Sequence, residues 1–117
     1  MSEYFDLIKQ QIAEHKVVLY MKGSKNFPAC GFSASVCNIL EKLSVDFKDI
    51  DILEDAGLRA AIKEFSNWPT IPQLYINGEL IGGSDIARDL YLSGELQELL
   101  WGISNLESLG SSSFASG

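Results

Sequence analysis

Phe5, Ile8 and Ile12 recur at helical spacing behind Ser2 and Glu3, which read as an N-cap and a first-turn acid. A first helix is therefore predicted from Ser2 to about His15. Val17-Val18-Leu19-Tyr20-Met21 is a short unbroken apolar run rich in β-branched residues, the pattern of a strand covered on both faces. A Gly/Ser/Pro-marked stretch from Lys22 to Ser33 follows. Val36, Leu40 and Leu43 then mark a second helix, broken at Ser44 and Asp46, and Phe47, Ile50 and Ile52 suggest a second strand. Asp55 is placed to cap a third helix with an apolar face of Leu58, Ala61, Ile62 and Phe65, ended by Ser66 and Asn67.

Trp68-Pro69-Thr70-Ile71-Pro72 carries two prolines and fits neither a regular helix nor a central strand, so a rigid shaped loop is predicted. Gln73 to Ile76 and Glu79 to Ile81 flank Asn77-Gly78, the strongest short-range signal for a two-residue hairpin. Gly82-Gly83 leads to a helix start at Ser84-Asp85, with Ile86, Leu90 and Tyr91 behind it. After Ser93-Gly94 a last helix holds Leu96, Leu99, Leu100 and Trp101, and residues 109–117 read as a linker-like tail. A single domain over residues 1–108 is expected. Strand, helix, strand implies a parallel pair, and the later hairpin adds two antiparallel strands. The order predicts an α/β fold of thioredoxin-like arrangement, a four-stranded mixed sheet with helices on both faces.

With 117 residues and 46% apolar content the chain suffices for one core. Nine basic against 16 acidic side chains give a net charge of −7, which argues against nucleic acid or an anionic membrane as partner. No apolar run approaches the roughly 18 residues of a membrane span, and no signal-like segment opens the sequence. A reducing, cytoplasmic setting is the expectation.

Chemistry concentrates at Cys30, between a Gly/Pro loop and a helical pattern. The partial positive charge of a helix N-terminus, with cations nearby, lowers a thiol's pKa and frees the thiolate. A free cysteine is often only a small buried hydrophobe, but the loop and the neighbouring Lys22 and Lys25 favour a reactive Cys30. Cys37 has the opposite balance, sitting between Val36 and Leu40 as core filler, with a resolving or regulatory role as the lesser alternative. On an intact helix the two lie about 10 Å apart along the axis, too far for a disulfide. One histidine, His15, and one eligible cysteine do not make a mononuclear metal site in one chain.

Cys30-Gly31-Phe32-Ser33 resembles the active-site signature of the monothiol, CGFS-type glutaredoxins. Lys22, Trp68-Pro69-Thr70, Ile71-Pro72, Gly82-Gly83 and Ser84-Asp85 follow the family's order, and the resemblance covers roughly residues 4 to 105. Ser33 stands where a dithiol enzyme has its second cysteine. A hydroxyl cannot attack a mixed disulfide, so exchange at Cys30 needs an external thiol, which the resemblance names as glutathione. It implies that Lys22 and Arg59, assisted by Lys63, hold the glycine carboxylate. It further implies that Pro72 is cis, that Ile71 offers its backbone to the cysteinyl part, and that Thr70 lines the same groove. Gly83, Ser84 and Asp85 suit the γ-glutamyl end, the first two through helix-start amides and Asp85 through its charge. Read plainly, Ser84 and Asp85 are helix caps, the cations are solvated surface charges, and Trp68 is a structural aromatic beside the loop.

The resemblance also implies a [2Fe-2S] cluster shared by two protomers, each supplying Cys30 and one glutathione, because such a cluster takes four thiolates. Homodimerisation, cluster storage and transfer to apo iron-sulfur acceptors, and a BolA-like partner belong to that reading. The alternative is an enzyme, a glutathione-dependent oxidoreductase that removes glutathione from protein thiols. The eight residue steps from Lys22 to Cys30 exceed those of dithiol glutaredoxins. In the family the longer loop accompanies cluster binding and weak oxidoreductase activity, which ranks the carrier first.

Overall fold

The computed structural model describes residues 2–100. Its elements are α1 (Ser2–Glu14), β1 (Val17–Met21), α2 (Gly31–Lys42), β2 (Lys48–Asp51), α3 (Ala56–Ser66), β3 (Gln73–Ile76), β4 (Glu79–Gly82) and α4 (Ser84–Ser93). A helical run over residues 95–100 follows. The sheet order is β2-β1-β3-β4, with β1 parallel to β2 and antiparallel to β3, and β3 antiparallel to β4. This is the mixed four-stranded sheet of the thioredoxin-like fold. No helix among the described residues is long and apolar enough to cross a membrane.

All five residues of β1 are buried, because alternate side chains enter two separate cores. Val17, Leu19 and Met21 pack with Val36, Cys37 and Leu40 of α2, Ala87 of α4, and Leu96 and Leu100. Val18 and Tyr20 point the other way, toward Ile8 of α1 and Leu58, Ala61 and Ile62 of α3. An unbroken apolar run is thus what a central strand between two helical layers requires.

Local signals set most boundaries. Asp55 caps α3, its Oδ1 accepting from the amides of Gly57 (3.0 Å) and Leu58 (3.1 Å), and Tyr4 Oη donates to the same oxygen at 2.7 Å. Asn67 ends α3 in the left-handed region (φ 54°). Asn77 and Gly78, at φ 54° and 80°, turn the β3–β4 hairpin.

Other expectations shift. Ser2 is the first helical residue of α1 rather than its cap, and the helix stops at Glu14. β2 ends at Asp51 instead of reaching Ile52, because Asp51 Oδ1 accepts from Leu53 N (2.9 Å) and starts a single 3-10 turn over Ile52–Glu54. β4 extends to Gly82. Leu99 is 44% exposed while Leu96 and Leu100 are buried, so the last apolar stripe is narrower than the sequence suggests. Trp101, the domain's end at residue 108 and the tail at 109–117 lie outside the described residues.

Candidate functional site

Cys30 is the last residue before α2, in extended conformation (φ −155°, ψ 143°), with its carbonyl accepting from Ala34 N at 2.9 Å. Its thiol is held below the ordinary value of 9.0. The backbone N–H of Ser33 contributes most; burial opposes it; the Phe32 N–H, the Ser33 hydroxyl and the charge of Lys22 follow in that order. The start of the helix therefore outweighs any side-chain cation. Lys25, read from sequence as a neighbour of the thiol, turns away: its Nζ donates to the Phe47 carbonyl (2.7 Å) and lies 4.4 Å from the Phe47 ring centroid.

Ser33 is fully buried, and its Oγ accepts from Lys22 N at 3.1 Å. This bond joins the end of β1 to the first turn of α2, a role that the missing second cysteine did not signal. Cys37, also buried, has its Sγ 3.7 Å from Met21 Sδ, and burial pushes its thiol up to about 11. It is core, and Cys30 is the more accessible of the two free thiols.

The loop between β1 and α2 is a miniature hairpin. Ser24 and Phe27 exchange backbone bonds (3.2 and 3.1 Å), Gly23 bridges Pro28, and Ala29 N donates to Lys22 O at 2.9 Å. A Cβ at Gly23 would stand 2.5 Å from Phe27 O, and its φ of 86° also selects glycine.

Beside this loop lies an open groove of about 440 Å³. Lys22 enters it from the end of β1, and Arg59 and Lys63 from successive turns of α3. Thr70, Ile71 and Pro72 form its wall ahead of β3, with the Ile71–Pro72 peptide bond cis as the resemblance implies. Gly83, Ser84 and Asp85 close it at the start of α4. All nine groove residues singled out from sequence thus meet at one place, whereas Cys30 is not among the lining residues and Phe32 represents its motif there.

No side chain caps α4, whose N-cap is Gly83, so the plain reading of Ser84 and Asp85 as caps does not hold. Asp85 instead pairs with Arg88 at 3.6 Å on the surface. Among the described residues none of Lys22, Arg59 and Lys63 is in an ion pair, so three uncompensated cations line one groove of an acidic protein. Trp68, Pro69 and Ile86 also line it. Trp68, expected as a structural aromatic in a segment that borders the groove in the family, does line it, and its buried indole N–H has no hydrogen-bond partner among the described residues.

Gln73, fully buried, supports the wall: Nε2 donates to the carbonyls of Trp68 (3.1 Å) and Thr70 (3.3 Å), and Oε1 accepts from Tyr75 Oη at 3.2 Å. It thereby satisfies an irregular segment that has no ladder of its own.

The family model for glutaredoxin matches residues 17–81. A protein of Rickettsia conorii named "Probable monothiol glutaredoxin 2" is 62% identical over 99 residues, spanning 85% of this chain and 92% of the relative. The chain belongs to the glutaredoxin family, on its monothiol branch. A Synechocystis relative, "Uncharacterized monothiol glutaredoxin ycf64-like", is 55% identical, covering 80% of this chain and 87% of its own. Reduced apo GrxS14 from poplar, a solution structure, superposes with a TM-score of 0.75 at 50% identity, over 83% of this chain and 89% of that one.

Proposed function

We propose that this monothiol glutaredoxin binds glutathione in the groove and, as a pair of protomers, carries a [2Fe-2S] cluster for storage and transfer to apo iron-sulfur acceptors. The observation that carries the reading is the set of three cations, Lys22, Arg59 and Lys63, gathered on one groove that also takes in Phe32 of the Cys30 motif, with Lys22 among the groups that acidify the Cys30 thiol. Glutathione has two carboxylates, an ammonium and a thiol. Its glycine carboxylate suits the three cations, and its cysteinyl amides suit the Ile71 backbone. Its γ-glutamyl carboxylate suits the amides at Gly83 and Ser84, and its ammonium suits Asp85.

The donor set fits a shared cluster and not a private one. Among the described residues no three His, Cys, Asp or Glu side chains converge on a metal position, and Cys37 is buried. Four thiolates are needed, so Cys30 and one glutathione thiol from each of two chains supply the count. When bound, the cluster supplies iron-sulfur cargo; the chain's own part is to present Cys30 as thiolate and hold glutathione against it. A homodimer follows from that count, and a BolA-like protein is a candidate alternative partner.

The lowered thiol pKa also favours a second reading, thiol transfer. Cys30 thiolate attacks the glutathionyl sulfur of a protein mixed disulfide and releases the protein thiolate. A second glutathione thiolate then attacks the Cys30–glutathione disulfide, restoring Cys30 and leaving oxidised glutathione.

Anaerobic reconstitution with iron, sulfide and glutathione tests the carrier role. The expected product is a coloured dimer that Cys30→Ser does not form; a colourless monomer overturns the reading. Turnover in a glutathione-coupled disulfide assay matching dithiol glutaredoxins would reverse the ranking.

A further inference from the structure

The hairpin loop that delivers Cys30 is tied to one side of the sheet by four contacts. Gly23 N donates to Asp51 Oδ1 at 2.9 Å, and Lys25 N donates to Asp49 Oδ2 at 2.8 Å. The Lys25 ammonium donates to the Phe47 carbonyl at 2.7 Å and stands over the Phe47 ring. Its ion pair with Asp46, at 3.8 Å, involves a fully exposed carboxylate and adds little. Three of these four contacts are made by Lys25. β2 flanks β1 on the side opposite β3, whereas the Thr70 to Pro72 wall of the groove leads into β3.

We infer that Lys25 is the positioning residue of the Cys30 loop: its ammonium and amide fasten the loop to β2 and the residues leading into it, and so fix Cys30 against the first turn of α2. The inference rests on Cys30 being the reacting thiol and is independent of cluster binding. Coupling runs through the hairpin, whose base closes where Ala29 N meets Lys22 O, next to Cys30. Lys22 itself is bound through its amide to Ser33 Oγ. The charged group facing Cys30 is Lys22, and those facing Lys25 from β2 and its approach are Asp46 and Asp49. Lys25 therefore acts on Cys30 through loop geometry and not through its charge.

Amide exchange and the pH profile of Cys30 alkylation, both on the ligand-free full chain, test this. In Lys25→Ala the amides of Gly23, Lys25, Phe27 and Ala29 are expected to exchange about tenfold faster, the scale of one lost charge-assisted bond, while β1 amides keep their rates. The alkylation midpoint of Cys30 should move to higher pH in the same variant. Lys25→Arg, which keeps a donor and a cation over Phe47, should restore both. Should Lys25→Ala loosen β1 as well, Lys25→Met, which retains the apolar stem, replaces it with the same two expectations. Unchanged loop exchange, an unmoved midpoint, or an arginine variant as defective as the alanine one overturns the inference. These readouts need neither glutathione nor iron, so a failure of the carrier reading leaves them interpretable.

Discussion

Ser33 does two things at once: its Oγ accepts from the Lys22 amide, and its hydroxyl helps to hold the Cys30 thiol below its ordinary value. Ser33→Ala removes both. The alkylation midpoint of Cys30 should rise toward the ordinary thiol value of 9.0, measured by rate against pH. The sign follows from the lowered thiol: ionised Cys30 is favoured in the fold, so its stabilising contribution is complete above the unfolded value and fades as pH falls through the folded one. The variant should also lose about 1 kcal/mol or more of stability, because the Lys22 N–H is left without its acceptor. Sequence made Cys30 and its motif plain, since a cysteine before a helical pattern is a local signal. It could not show that Lys25 faces Phe47 or that Ser33 holds Lys22, because those contacts join residues 22 and 11 positions apart.

α3 brings its cations to the groove because Asp55 fixes where the helix begins, and Arg59 lies one turn on with its amide donating to the Asp55 carbonyl at 3.0 Å. Arg59→Ala should weaken glutathione binding about tenfold, as expected for one partly solvated charge-assisted bond, and calorimetry would show it. The wild-type affinity should itself fall as salt rises through the range where the Debye length drops below ~10 Å. Unchanged affinity in the variant would remove Arg59 from the site. The elements themselves were largely readable: Asn77-Gly78, Asp55 and the run from Val17 to Met21 each act locally. What resisted was the end of β2, where an Asp51 side chain redirects the chain, and the freedom of Ser84 and Asp85 from capping. Both depend on where one side chain points, which spacing alone does not encode.

Across the whole molecule, two cores on opposite faces of one sheet bury groups that resist ionisation. Burial pushes Cys37 up to about 11 and Tyr75 up to about 12, and raises Tyr20 further. Each is neutral in the fold at pH values where the unfolded chain would already ionise it, from ordinary values of 9.0 and 10.0. The contribution of these three groups to folding stability should therefore be level below about pH 9 and decline as pH rises from there toward 12. Denaturant midpoints at pH 7, 9 and 10.5 would check it, and a midpoint that rises on the alkaline side would contradict the assignment. The two-faced sheet was readable from the unbroken apolar run of β1, whereas the convergence of three cations on one groove was legible only through the family resemblance, because spacing along the chain does not place β1 beside α3.

The miniature hairpin after β1 also bears on how such a loop can change length. Ser24 and Phe27 answer each other across it, and Gly23 bridges Pro28. Deleting one residue from the hairpin would turn the amide and carbonyl of one flank away from their partners, because successive residues of an extended segment point these groups to opposite sides. The reach from Lys22 to Cys30 is thus a ruler with preferred divisions: a redesign that removes a whole paired rung keeps the hairpin's bonds, whereas one that removes a single residue must add a bulge or a different turn.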